Sequence, residues 1–442
     1  MLREKSSSKK LKEPIMKKIL LLFFLFCCGN VFSQMDNQLK KDIIDIEKNV
    51  IQWRHEIHQN PELSNREYET AKMIAKHLKD LGLKVKTGVA HTGVVAVLKG
   101  DHPGQTVALR ADIDALPVTE RNDLPFKSEK TTEFLGQKTG VMHACGHDTH
   151  TAILMGVAEV LNKNKHLLNG NVKFIFQPAE EGPPPGEKGG AKLMIEEGVL
   201  KKPDVDAIFG LHINSGTPVG TLRYKPGGAM AAVERFVINV KGKGSHGSRP
   251  WAGVDPILIS AKIVDGLQTI ISRESPLVKE PAVITVGKIT SGTRYNVIPE
   301  SAEMIGTVRT LDPDMREMVI RRMNEMVPSI AKAYGGEAEI QFQNNTAITY
   351  NDLELTAEML PTLKNIAGKE NVELVKATTG GEDFSFFQEK VPGFYFFLGG
   401  MTPGNKTPYP HHTPDFKVDD AGMLLGVKSL SQLAIDYLND HN

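Results

Sequence analysis

Apolar positions along the chain set out a succession of elements. From Asp36 to Gln59 they recur near helical spacing (Ile43, Ile44, Ile46, Val50, Ile51, Ile57), and the run stops at Asn60-Pro61, so one helix is expected there. A second helix is expected over 67–81, ended by Gly82. Short β-rich runs follow at 83–86, 93–98 and 106–111. A helix after Asp148, a strand over 172–177, a helix over 191–197 and a strand over 207–211 come next. Such alternation predicts an α/β sheet layered by helices.

The pattern changes after Pro226-Gly227-Gly228. A strand (234–241), a long helix (256–273), two strands (282–289, 301–309), a second long helix (314–334) and a last strand (338–343) give the order β-α-β-β-α-β, a ferredoxin-like α+β unit. After Asn344 the α/β pattern resumes, with helices over 353–368 and 419–438. The expected organisation is a leader over 1–33, an α/β domain made of 34–227 and 345–442, and a small domain inserted at 228–344. Helices can cover one face of a sheet that small, which leaves the other face or an edge for a second subunit.

Composition adds less. At 442 residues the chain exceeds one ordinary core, and 40% apolar with 24% charged residues is globular usage. A formal net charge of zero gives no electrostatic reason to expect nucleic acid. The N-terminus changes the picture more. Lys17 and Lys18 precede ten apolar residues (19–28) and then Val31-Phe32-Ser33, the layout of a cleavable export signal. Ten residues cannot span a bilayer, which needs about 20. Cleavage after Ser33 would leave 46 basic and 51 acidic residues, a net charge of −5, in a periplasmic or secreted protein free of the membrane. Cys27 and Cys28 would leave with the signal. Cys145 then stands alone, unable to form an internal disulfide, and a lone thiol in an exported protein needs an explanation.

Met142-His143-Ala144-Cys145-Gly146-His147-Asp148 supplies one. Cys145 and His147 are two apart, so an extended backbone sends both to one side, and Gly146 lets it bend closely. Thiolate and imidazole are ligands preferred by zinc and other borderline metals. Asp148 is placed to cap the next helix and to hold an imidazole from behind. Glu180 and Glu181 follow a strand directly, where open α/β sheets place their sites; one carboxylate can bind metal while the other moves protons. His212 ends an apolar strand, and His411-His412 lie in a proline-rich loop. One thiol, carboxylates and imidazoles at strand ends of one domain exceed the needs of one tetrahedral ion and suit two.

At these residues the chain resembles the metal-dependent amidohydrolases that include hippurate hydrolase, bacterial aminoacylases, N-acetyl-diaminopimelate deacetylase and the plant auxin-conjugate hydrolases. The likeness extends through Leu109-Arg110-Ala111-Asp112-Ile113-Asp114, Gln177-Pro178-Ala179-Glu180-Glu181-Gly182, Gly242-Lys243-Gly244-Ser245-His246, Asn296-Val297-Ile298-Pro299 and Gly380-Gly381-Glu382-Asp383-Phe384, over nearly all of the mature chain. It implies a metallo-exopeptidase-like catalytic domain and a dimerising inserted domain. It also implies two divalent ions (manganese, zinc or cobalt) on Cys145, His147, Glu181, His212 and His412, with Glu180 as general base. His412 is preferred to His411 because the His-Thr-Pro that it opens fits the family pattern. Asp112 and Asp114 are expected behind the ligands. His246, Asn296 and Gly380 are expected at the substrate, His246 reaching the other subunit's site of a homodimer. The implied reaction is hydrolysis of an N-acyl amino acid by metal-activated water.

Three other readings compete. A dipeptidase or carboxypeptidase of the same fold is the nearest. A Cys145 nucleophile with a histidine base leaves Glu180-Glu181 without a role. A retired metal- or ligand-binding protein would keep the ligands and lose the base, and Glu180 speaks against it.

Overall fold

An eight-stranded mixed sheet runs through the larger part of the molecule. Its order is Lys84–Val89, Gly93–Lys99, Asn169–Gln177, His102–Asp112, Ala207–Pro218, Gly393–Met401, Leu222–Tyr224, Val372–Leu374. The four central strands, Asn169–Gln177 to Gly393–Met401, are mutually parallel, so their carboxyl ends share one edge. Val107, Ala108, Leu109, Phe174, Ile175 and Phe176 are all fully buried, as strands covered on both faces require.

The helix His147–Lys163 is buried nearly all round, packing against the helices Glu47–Gln59 and Met423–Asp440 and against the sheet. Gly156 on it lies so near Val50 that an added Cβ would stand 2.6 Å from Val50 Cγ2.

A second, four-stranded antiparallel sheet lies between Ala232 and Thr346, in the order Ala282–Ser291, Ser301–Thr310, Ala232–Lys241, Glu337–Thr346. Two helices, Pro256–Thr269 and Pro313–Ala333, cover one face and bury Phe236, Ile238, Val240, Ile263, Met304, Val319 and Met323. Each starts with proline after an aspartate whose carboxylate accepts first-turn amides, Asp255 from Ile257 and Leu258, Asp312 from Met315. On the opposite face Arg235, Asn239, Val283, Gln341 and Gln343 stand exposed. Where the chain enters and leaves this unit, Gly227–Met230 pairs with Thr349–Asn351.

The computed structural model describes residues 35–442, and the fold is that of the unit Asn37–Asn442. The expected leader, residues 1–33, lies outside the described residues. Among those described, no helix is long and apolar enough to cross a membrane.

Several expectations change. The first helix is two, Asn37–Asp45 and Glu47–Gln59, broken at Ile46. The strand expected to stop at Leu211 continues to Pro218, so His212 lies inside it, beside Phe397. Gly393–Met401, a central strand, was not anticipated, because a nine-residue apolar run buried on both faces carries no alternation to read.

Candidate metal centre

Near the shared carboxyl edge of the parallel strands come together Asp112, Cys145, His147, Glu180, Glu181, His212 and His412. Gly146 makes the turn between Cys145 and the helix at φ +95°, and a Cβ there would stand 2.4 Å from Ile213 Cγ2, so only glycine lets the backbone pass this close. Cys145 Sγ is 3.4 Å from His212 Nε2 and 3.2 Å from His412 Nε2. His412 Nε2 is also 3.2 Å from Glu181 Oε1. On the other side His147 Nε2 is 3.8 Å from Glu180 Oε2 and 3.8 Å from Asp112 Oδ2. The donor atoms fall into overlapping groups, Cys145-Glu181-His412, His147-Glu180-Glu181 and Cys145-His212-His411.

Partners behind the ring fix which nitrogen faces inward. His212 Nδ1 donates to the Ile213 carbonyl at 2.6 Å, and His147 Nδ1 to the Asp114 carbonyl at 2.9 Å, which turns both Nε2 atoms toward the cluster. His150 is already saturated, donating from Nδ1 to Asp112 and accepting the Ile213 amide at Nε2. His411 Nε2 accepts the Ser215 amide, whereas His412, in a left-handed backbone conformation at φ +60°, turns its Nε2 to Cys145 and Glu181. That geometry favours His412 over His411.

The donor set fits divalent ions. His147 Nε2 is buried with no hydrogen-bond partner, and Glu181 Oε1 has none beyond its ion pair with His412, although buried polar atoms are almost always paired. Burial, with Glu181, Glu180 and Asp112, holds the Cys145 thiol well above its ordinary range. Burial opposes a charge on His147, yet Asp112 and Asp114 overcome it and push its pKa up to about 10. A thiol and an imidazole that keep their protons among so many carboxylates mark a site whose charge a bound cation balances in their place.

Glu180 differs from its neighbour. Burial, then Glu382, Glu181 and Asp383, holds its carboxyl well above the usual range.

A family model, Peptidase family M20/M25/M40, matches residues 108–436. The chain belongs to that family. It is 45% identical over 404 residues to "Thermostable carboxypeptidase 2" of Saccharolobus solfataricus, covering 91% of this chain and 98% of the relative. It is 39% identical over 389 residues to "N-acetylcysteine deacetylase" of Bacillus subtilis, covering 87% and 96%. A solved Bacillus subtilis structure, described as a dinuclear metal-binding peptidase of the family, superposes with a TM-score of 0.74 at 36% identity, covering 90% and 99%. This M20-family chain is therefore a hydrolase, and its α/β architecture is the family's.

Beneath the M20 site lies an ionic layer that sequence reading passed over. Arg110, fully buried, donates to Gln177 (2.8 Å), Asp112 (2.6 Å), Glu382 and Asp383 (both 3.0 Å). Tyr395 donates to Glu382, and Gln177 to Asp383, whose carboxyl burial pushes up to about 7. The signal was an arginine inside an apolar strand, which demands buried partners.

Asp148 corrects an expectation. The helix starts with Gly146 in the capping position and no side-chain cap. The Asp148 carboxylate turns away from the cluster to Arg54 (3.1 Å) and His58 (2.9 Å), because those buried cations need it more than the first-turn amides do. Asp114 lies against His147 Nδ1 through its carbonyl at 2.9 Å and Oδ1 at 3.2 Å.

His246 and Asn296 adjoin each other across the short ladder Ser245–His246 with Val297–Ile298, where Gly247 N donates to the Asn296 carbonyl. The His246 side chain is exposed and bonds only Ser248 among the described residues, and neither it nor the Asn296 side chain bonds the cluster. Gly380 is exposed, its carbonyl accepting the Ala231 amide.

Proposed function

We propose that the protein hydrolyses the amide bond between an acyl group and an amino acid, with Glu180 as general base beside two divalent ions. The observation that carries this reading is the geometry at Glu180: its carboxylate lies 3.8 Å from His147, whose buried Nε2 has no hydrogen-bond partner, in one group of donor atoms with Glu181. Cys145, His147, Glu181, His212 and His412 would hold the ions, manganese, zinc or cobalt. When bound, such ions polarise the scissile carbonyl and bring a water's pKa toward neutrality. Glu180 accepts that water's proton and returns it to the departing nitrogen. Asp114 and the Ile213 carbonyl keep His147 and His212 in the right tautomers throughout.

His246 and Asn296 would meet the substrate from the second sheet of a partner copy in a homodimer, residues 228–344 forming an inserted domain. Gly380 would line the substrate's path. The export signal would deliver a mature chain beginning at Gln34.

The similarity to a thermostable carboxypeptidase favours one second reading, removal of a C-terminal residue from a peptide. The bond is chemically the same, an amide whose amine side carries a carboxylate. A metal-replete screen of hippurate, N-acetyl amino acids, dipeptides and longer peptides, read by free amine, separates them. The proposal expects the highest kcat/KM on N-acyl amino acids. Faster cleavage of longer peptides would replace it with the carboxypeptidase reading.

A further inference from the structure

Glu180 and Glu181 stand on neither a helix nor a strand, so something else must fix them. The short turn at residues 64–67, before the helix Tyr68–Asp80, supplies the bonds. Ser64 Oγ donates to Asp114 Oδ2 at 2.7 Å, the same carboxylate oxygen that accepts the Glu181 amide at 3.1 Å. Asn65 Nδ2 donates to the Lys188 carbonyl and to Glu187 Oε2, both at 3.0 Å. Arg66 Nη1 donates to Glu187 Oε2 at 3.1 Å. Glu67 Oε1 accepts the Ala179 amide at 2.9 Å, while its other oxygen accepts the Thr92 hydroxyl. Asn65 and Glu67 are wholly buried.

Ala179 directly precedes Glu180 and adopts φ +55°, a conformation that a residue with a Cβ holds only under constraint. The constraint on its amide is Glu67. Residues 182–190, pinned through Glu187 and Lys188, form one wall of a cleft of about 520 Å³ that opens on Glu180 and Glu181. Exposed ion pairs such as Arg66-Glu187 contribute little to stability, so the consequence of that pair is the placement of the wall.

We infer that residues 64–67 are a positioning element for the reaction. Glu67 sets the aim of Glu180 and Glu181, and Asn65 with Arg66 sets the cleft wall against which the substrate's bulk rests. This rests on the role proposed above for Glu180.

The test compares Glu67→Ala, Glu67→Gln, Arg66→Ala and Glu180→Gln for kcat, KM, bound metal, melting temperature and amide exchange over 178–190. Glu67→Ala should lower kcat about 100-fold, the scale of a misplacement near 1 Å. Glu67→Gln should restore most of it, because an amide oxygen still accepts the Ala179 N–H. Arg66→Ala should show in KM, most for the bulkiest substrates, with faster exchange over 182–190. Should Glu67→Ala not fold, Glu67→Asp, which keeps the carboxyl group and shortens the reach, carries the same expected loss. A lowered melting temperature with normal kcat in the folded protein, or unchanged exchange in both variants, would overturn the inference. Glu180→Gln tells the two failures apart: turnover retained there sinks the base, whereas an inactive Glu180→Gln beside a fully active Glu67→Ala sinks the positioning role alone.

Discussion

Around Cys145 the side chains are held from behind, His147 by Asp114, His212 by the Ile213 carbonyl, and Glu181 through its amide by Asp114. Around His246 the opposite holds: the imidazole is exposed and bonded to Ser248, and Asn296 keeps a buried Oδ1 without a partner. The first region is furnished by one chain and braced on every side. The second is exposed and has few bonds to its own chain among the described residues. A cluster that is over-determined and a corner that is under-determined are the two parts expected when binding groups close over a preformed centre.

The largest effect should come from the furnished side. Glu180→Gln removes the proton acceptor and keeps a side chain of the same shape, so turnover should fall by about 100- to 10,000-fold. Bound metal should remain near the wild-type level, because Cys145, His147, Glu181, His212 and His412 are untouched. Calorimetric titration with the metal, run beside steady-state kinetics, checks both halves. Metal lost together with activity would show that Glu180 is a ligand and that the division of labour between the two carboxylates is wrong.

How much of this contrast could be read from the sequence follows from chain distance. Cys145-Gly146-His147 and Glu180-Glu181 are compact motifs at the ends of apolar runs, and local pattern places them on one edge of a sheet. The β-α-β-β-α-β order likewise rests on two strongly periodic helices. What stayed hidden is what the fold assembles from afar. Arg110 meets Glu382 across 272 positions, and Glu67 meets Ala179 across 112. Nothing in the residues around Glu67 announces a buried carboxylate, since a glutamate opening a helix normally reads as solvated. Asp148 was misplaced for the same reason: its partners Arg54 and His58 lie 94 and 90 positions away. The strand Gly393–Met401 was a different kind of loss, an apolar run with no alternation to separate it from any other core segment.

The under-determined side can be tested by mixing subunits. His246→Ala and Glu180→Gln should each be weak alone. If His246 serves the partner's site, a heterodimer of the two has one site lacking both groups and one site complete, so activity should return to at most half the sites. If His246 serves its own chain, each site still lacks one group and nothing returns. Subunit exchange, followed by native mass spectrometry, has to accompany the assay; exchange without recovery would assign His246 to its own chain.

The smallest effect concerns the layer behind the ligands, where the comparison predicts rigidity that depends on pH. Buried His58 is bonded by Asp148 at 2.9 Å and Glu120 at 3.1 Å. Burial disfavours its cation, but Asp148 and Glu120 prevail and raise its pKa above the ordinary value. A histidine whose folded pKa is raised contributes stability that is fully present below the unfolded value of about 6.5 and is lost as pH climbs through the folded pKa. Asp148 works in the other direction, its pKa held far below the usual carboxylate range, so its contribution persists across that window and fails only in strong acid. The wild-type melting temperature should therefore decline above neutrality more steeply than that of His58→Gln, which cannot titrate there. Taking the difference between the two curves cancels the contributions of His147 and Cys145, which both proteins share. Parallel curves from pH 6 to 9 would mean that folding leaves the His58 pKa unchanged, and a wild-type curve that rises through about pH 6.5 would mean that His58 is neutral in the fold and that Asp148 is balanced by Arg54 alone.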